Sequence, residues 1–166
     1  MRLSKSSGRG GRSSTNQKEE METSKDFEEF FELLNSRKVR YMVVGGYAFA
    51  VHAKPRYTGD IDVFVDSSIT NAQNLLKVLE EFGFGELGIS LEDLTKADQV
   101  IQLGNPPLRI DILTSISGVS FQEAWKNKIT GKYGEQGVNF IGKADLIKNK
   151  KASGRKKDML DIEDLQ

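Results

Sequence analysis

The run Thr58-Gly-Asp-Ile-Asp-Val-Phe-Val-Asp66 decides how this chain is read. Ile61, Val63 and Val65 alternate with Asp60, Asp62 and Phe64, the two-residue period of a half-buried β-strand. Asp60 and Asp62 then leave the strand on one face. Taking an unpaired carboxylate out of water is costly, so two such neighbours on a sheet face call for solvent, a cation or basic partners. A second run, Leu108-Arg-Ile-Asp-Ile-Leu113, repeats the arrangement. Leu108, Ile110 and Ile112 fall on one face, Arg109 and Asp111 on the other. If the two strands are neighbours, three carboxylates converge, because side chains directly opposite on adjacent strands sit about 5 Å apart at Cβ.

Three converging carboxylates suit a hard divalent cation such as magnesium, which binds oxygen ligands at about 2.0–2.1 Å. Two such ions can lower the pKa of an attacking hydroxyl and neutralise a triphosphate with its leaving pyrophosphate. A phosphate seat lies upstream. Arg40-Tyr-Met-Val-Val44 reads as a buried strand, Gly45-Gly46 as a turn, and the residues from Tyr47 to Ala53 as a helix. Glycines let the backbone adopt positive φ and approach a ligand closely. The free N–H groups of a helix N-terminus favour negative charge. A triphosphate would fit between this turn and the aspartates, and the chemistry expected is attack on its α-phosphate.

A glycine-rich turn, a short helix, an Asp-x-Asp strand and a third Asp on another strand resemble the nucleotidyltransferases of the DNA polymerase β superfamily. That resemblance implies a nucleotidyltransferase fold, in the α/β (α+β) class, with a mixed, mostly antiparallel sheet flanked by helices. It implies that Gly45 and Gly46 seat the triphosphate and that Asp60, Asp62 and Asp111 are the metal-binding and catalytic carboxylates. The cofactor implied is Mg²⁺ or Mn²⁺, with an NTP such as ATP as substrate. Many members carry Gly-Ser in the turn; here Gly46 is followed by Tyr47, which leaves phosphate binding to backbone amides. The stretch from Gly45 to Val65 also resembles minimal nucleotidyltransferases and toxins of the abortive-infection, toxin–antitoxin type, which often show an Arg-x-Thr-x-Asp-x-Asp run. Here that run is Arg56, Thr58, Asp60 and Asp62. The C-terminal Gly-Arg-Lys-Lys-Asp-Met-Leu-Asp resembles their basic-Lys-Asp-x-x-Asp motif, placing Arg155, Lys157, Asp158 and Asp161 in it. With the resemblance, Arg56, Thr58, Lys150 and Lys157 become candidate nucleotide contacts.

Composition narrows the rest. With 24 basic and 24 acidic residues the formal net charge is zero, so no global field draws the chain to nucleic acid and local patches must do so. There is no cysteine, which excludes disulfides, thiolate catalysis and cysteine-type zinc sites. No apolar stretch approaches the roughly 20 residues that span a bilayer, so no membrane partner and a cytoplasmic location are expected. Residues 1–23, rich in Ser, Gly, Arg and Lys, are expected to form a disordered basic tail ahead of a single domain over 24–166.

Within that domain Ser24 is placed to cap a helix whose Phe27, Phe30, Phe31 and Leu34 follow one buried face. Ala72, Leu75, Leu76, Leu79 and Phe82 predict a second helix ended at Gly83. A short helix is expected between Ser90 and Asp98. Gln99–Leu103 should pair as a hairpin with Leu108–Thr114, and Val138–Ile141 should form a last strand. Lys143–Lys151 and Lys156–Leu165 read as two closing helices around Ser153-Gly154. Their basic cluster, Lys148, Lys150, Lys151, Arg155, Lys156 and Lys157, fits either a solvated helix face or contacts to phosphate. Tyr47 and Tyr57 are candidates for stacking on a base, Arg109 for pairing with Asp111, and His52 for a packing role. The acceptor is open among an RNA or tRNA end, a protein hydroxyl and a small molecule such as an aminoglycoside. A cognate antitoxin or regulatory partner is a further expectation. The rival class is a non-catalytic nucleotide-binding or partner-binding module on the same fold.

Overall fold

The computed structural model describes residues 24–105 and 107–166; the expected tail, 1–23, lies outside the described residues. The first element is helix α1, Lys25–Ser36, followed by strand β1, Tyr41–Val44, and helix α2, Gly45–His52. Strand β2, Asp60–Val65, leads into helix α3, Ile69–Glu81, and the short helix α4, Leu91–Thr95. Strands β3, Val100–Asn105, and β4, Leu108–Leu113, form the expected hairpin. Helix α5, Phe121–Lys126, precedes a second hairpin of β5, Ile129–Tyr133, and β6, Gln136–Phe140. Helices α6, Lys143–Ser153, and α7, Lys156–Leu165, close the chain.

The six strands lie in one mixed sheet in the order β3-β4-β2-β1-β6-β5. The pairs β1/β2, β3/β4 and β5/β6 are antiparallel, while β1/β6 and β2/β4 are parallel. Antiparallel pairings thus predominate, as expected. The parallel β2/β4 pair sets Asp62 opposite Asp111 and Asp60 opposite Arg109. Two parallel strands need a long crossover, which α3, α4 and β3 supply. On the other side of β2, Val44 at the end of β1 stands opposite Asp62. The turn that follows β1 therefore starts beside the aspartate strand.

Local chemistry explains the helix boundaries. Ser24 Oγ accepts from the backbone N–H groups of Asp26 and Phe27, and the stripe Phe27, Phe30, Phe31 and Leu34 is buried. Ser68 caps α3, and Ser90 with Asp93 forms a capping box on α4. Gly154, in the left-handed conformation at φ 69°, stops α6, and α7 starts two residues later. One continuous core runs from Phe27 to Leu165.

Two features differ from the reading of the sequence. The half-buried alternation of β2 holds only at its start, because Phe64, on the aspartate face, is buried against Phe121 of α5 with ring centroids 5.1 Å apart. The face is thus open at Asp60 and sealed by α5 beyond Asp62. Strand β5 is an addition to the expected elements. Its Ile-Thr-Gly-Lys-Tyr sequence carries little alternation, and it is an edge strand defined by pairing with β6. Among the described residues no helix is long and apolar enough to cross a membrane.

Candidate active site

The site assembles where the end of β1, the start of β2 and the middle of β4 meet. Gly45 has φ +70°, a region costly for residues bearing a Cβ, and a Cβ there would lie 2.2 Å from Asp62 Oδ2. A Cβ on Gly46 would lie 2.4 Å from Thr58 Cγ2. Both glycines are therefore needed so that the turn can lie against the residues of the Arg-x-Thr-x-Asp-x-Asp run. No side chain caps the first turn of α2, whose N-cap is Val44. Its leading N–H groups are orphan donors of the kind that favour an anion.

The Asp62 carboxyl is strongly perturbed. Burial, then the neighbouring charges of Asp111 and Asp60, push its carboxyl up to about 6, and Arg109 and Arg155 only partly offset them. No described side chain or backbone group donates a hydrogen bond to it. Asp111 is buried, with Arg109 Nε on its Oδ1 at 2.8 Å and Arg109 Nη2 on its Oδ2 at 3.0 Å. The same Nη2 reaches Asp60 Oδ2 at 2.9 Å, and the Asp60 side chain stays 40% exposed. Among the described residues no group of three ligating side chains already surrounds a common cation position. Arg109 takes up the space between Asp60 and Asp111. The donor set nonetheless fits a hard divalent cation: all-oxygen, net negative, and with one half-buried carboxylate, Asp62, that accepts no hydrogen bond from a described residue.

The remaining candidates fall into two groups. Arg56 lies over the Phe49 ring, with Cζ 3.8 Å from its centroid, and donates to Asp161 Oδ1 at 2.7 Å. Lys150 is 6% exposed, its Nζ set between Asp158 Oδ1 at 3.3 Å and Asp161 Oδ2 at 3.0 Å. Asp158 also accepts from Ser153 Oγ and, at 2.8 Å, from Arg155 Nε. Burial alone would raise the Asp158 carboxyl; the hydrogen bonds from Arg155, Ser153 and Lys150 outweigh it and hold it at about 2. The C-terminal motif is thus a buried ion network that ties α6 and α7 to the loop before β2.

Lys157 is exposed and ion-pairs with no described residue. From the basic cluster it is Arg155 whose charge acts on Asp62, and its side chain is 73% exposed. The sequence placed Arg155 in the motif, but only the packing of α7 shows its proximity to the aspartates. Tyr47 is buried, its ring edge-on to Tyr133 at 5.9 Å, which removes it from base stacking; Tyr57 is exposed. His52 Nε2 donates to the Ile141 carbonyl at 2.7 Å and so packs α2 against the chain after β6.

No curated protein sequence matches the chain. Among solved structures it is similar to the lincosamide antibiotic adenylyltransferase LnuA in its lincomycin-bound form, with a TM-score of 0.51 at 18% identity over 85% of this chain and 94% of that one. It is also similar to an antigenic nucleotidyltransferase-like protein from Paracoccidioides brasiliensis, at 18% identity and a TM-score of 0.49, covering 84% of this chain and 72% of that one. At such identity the likeness to LnuA shows a shared fold. The family assignment rests on the sequence itself: residues 23–166, which include the glycine turn, all three aspartates and the ion network of α6 and α7, match the family described as "Nucleotidyltransferase of unknown function (DUF6036)", and the chain belongs to that nucleotidyltransferase family.

Proposed function

We propose that the chain moves a nucleoside monophosphate from an NTP to an acceptor hydroxyl, with Asp60, Asp62 and Asp111 holding Mg²⁺ or Mn²⁺. The observation that carries this reading is the contact between the turn and the carboxylate. The Gly45 backbone lies so close to Asp62 that a single Cβ would collide with Oδ2. A triphosphate seated on the N–H groups of this turn therefore lies beside the carboxylate that no donor satisfies. A divalent cation bound there supplies charge neutralisation and a lowered pKa for an attacking hydroxyl.

The protein's own groups do the remaining work. The Gly45-Gly46 backbone orients the phosphates, and Arg155, anchored by Asp158, brings its exposed guanidinium to them. Asp111, held by the Arg109 fork, is placed to take the acceptor proton as the oxygen–phosphorus bond forms and the bond to the departing pyrophosphate breaks. The exposed Lys151, Arg155, Lys156 and Lys157 favour a polyanionic acceptor, an RNA end, over a small molecule of the kind LnuA binds.

Incubation with labelled NTPs, Mn²⁺ and a panel of RNA, protein and aminoglycoside acceptors tests the reading by label transfer and pyrophosphate release. Transfer to RNA that falls steeply with added salt is the expected outcome. Loss of about a thousandfold in Asp60→Asn should accompany it, since cation stabilisation of this kind is worth several kcal/mol. Binding of NTP without pyrophosphate release on any acceptor would instead favour the non-catalytic nucleotide-binding module.

Gly45→Ala provides a separate check. The new Cβ must push Asp62 Oδ2 aside, and the positive φ costs about 1–2 kcal/mol. The variant should remain folded yet lose the rise in melting temperature that NTP with Mn²⁺ gives the wild type. An unchanged ligand-induced shift would rule out the turn as the phosphate seat.

A further inference from the structure

We propose that Arg109 is the resident counter-cation of the metal-free site, and that it is also the positioning residue for Asp111. Its Nη2 is shared between Asp60 and Asp111, so that a divalent ion binding there would compete with it for Asp60. This inference rests on the metal-dependent reading of the same aspartates.

The geometry separates two tasks within one side chain. Nε and Nη2 grip both oxygens of Asp111 at 2.8 and 3.0 Å, a two-point fork that fixes the carboxylate plane. Nη2 alone continues to Asp60 Oδ2 at 2.9 Å. Asp111 sits on the same strand two residues away, so Arg109 stays on it without backbone movement, whereas Asp60 belongs to β2 and is the more exposed partner. Each carboxylate oxygen keeps a second lone pair, so the fork leaves Asp111 able to meet another ligand. Asp60 is the contact that can open. Before a cation arrives, three carboxylates share one sheet face, and Arg109 is the only cation hydrogen-bonded to any of them among the described residues. Without it the site carries three like charges with no counter-ion bonded to them. With it, an incoming cation meets a competitor for Asp60 and a positive charge nearby, which weakens its binding.

Substitution separates these roles. Arg109→Lys keeps the charge but loses the fork, whereas Arg109→Gln loses both. The experiment measures Mn²⁺ affinity by electron paramagnetic resonance, melting temperature without metal, and kcat for the three proteins. Arg109→Gln should melt lower than wild type without metal, with most of the loss restored in Arg109→Lys. Arg109→Gln should bind Mn²⁺ about tenfold tighter than wild type, as expected when one positive charge near the ion is removed. Both variants should lose kcat, because neither holds Asp111 by two points.

Equal or weaker Mn²⁺ binding by Arg109→Gln, with wild type still binding the ion, would overturn the competition and leave the metal reading standing. A wild type that binds no Mn²⁺ would overturn both. An Arg109→Gln protein that melts with wild type in the absence of metal would overturn the counter-cation role. If Arg109→Gln does not fold, Arg109→Lys decides: kcat at the wild-type level would remove the positioning role, and Mn²⁺ affinity apart from wild type would remove the equivalence of charge.

Discussion

Without metal, Asp62→Asn should unfold at a higher temperature than wild type at pH 7, by about 5–10 °C, while losing about a thousandfold or more in nucleotide transfer. The pKa of Asp62 is raised to about 6 in the folded protein against an ordinary value of 3.8. Between those values the folded state holds a proton that the unfolded state has released. Stability contributed by this group is therefore greatest below pH 4 and falls as pH rises through 4 to 6, then stays low. About two pK units correspond to a penalty on the order of 3 kcal/mol at neutral pH. In a domain of this size each kcal/mol moves the melting point by about 2–4 °C. Asparagine is nearly isosteric and carries no charge, so it removes both the penalty and its pH dependence. Adding Mn²⁺ should invert the order: wild type rises and Asp62→Asn does not, because the ion binds only where the carboxylate is. Melting curves at pH 4, 5, 6 and 7, with and without Mn²⁺, check every part. A wild-type stability that stays flat across this range would contradict the burial of the ionised carboxylate.

How much of this site could be read from the chain depends on what each feature needs. Alternation in Asp60–Val65 and Leu108–Leu113 identifies two strands because a period of two is a local property. The pairing of Asp62 with Asp111 is not local. It requires that β4 return parallel to β2 through α3, α4 and β3, and only then do the two strands fall into the register that aligns the carboxylates. The glycine turn was legible as a turn, and its collision distance to Asp62 was not, since that depends on β1 lying beside β2. Phe64 shows the opposite limit. Its position predicts the open face of Asp60 and Asp62, and α5 closes that face over it.

The basic cluster shows the same limit for charge. Six basic residues between Lys148 and Lys157 look alike in sequence, and hydropathy assigns all of them to solvent. In the structure α6 stops at Gly154 and α7 packs against it, so that Lys150 meets Asp158 and Asp161 in a buried position while Arg155 stays exposed near Asp62. Burial separates a structural cation from one free to meet a ligand, and helix packing decides which is which.

Lys150→Met should therefore destabilise the fold by about 3 kcal/mol, the low end of the 3–5 kcal/mol typical when one partner of a buried ion pair is removed. Asp158 has a side chain 1% exposed and would keep its bonds from Arg155 and Ser153, and Asp161 would keep Arg56, which limits the loss. The effect is large because Nζ is shared by two carboxylates, so its removal takes a buried cationic partner from each. Chemical denaturation at pH 7 measures it. Adding Asp161→Asn to Lys150→Met should recover part of the loss, since it removes one of the two carboxylates that lost Nζ. A phosphate-contact role for Lys150 gives a different signature: unchanged stability, weaker NTP binding, and no recovery from Asp161→Asn. The network also sets an acid limit. The Asp158 carboxyl is held at about 2, below its usual value of 3.8, so the stability it contributes is complete above pH 4 and is lost as pH falls toward 2. Wild type should lose stability in that window, and Asp158→Asn should lose less there, having begun from a lower plateau. Because the same network anchors Arg155 beside Asp62 and Arg56 over Phe49, weakening it should also raise the KM for NTP in variants that remain folded.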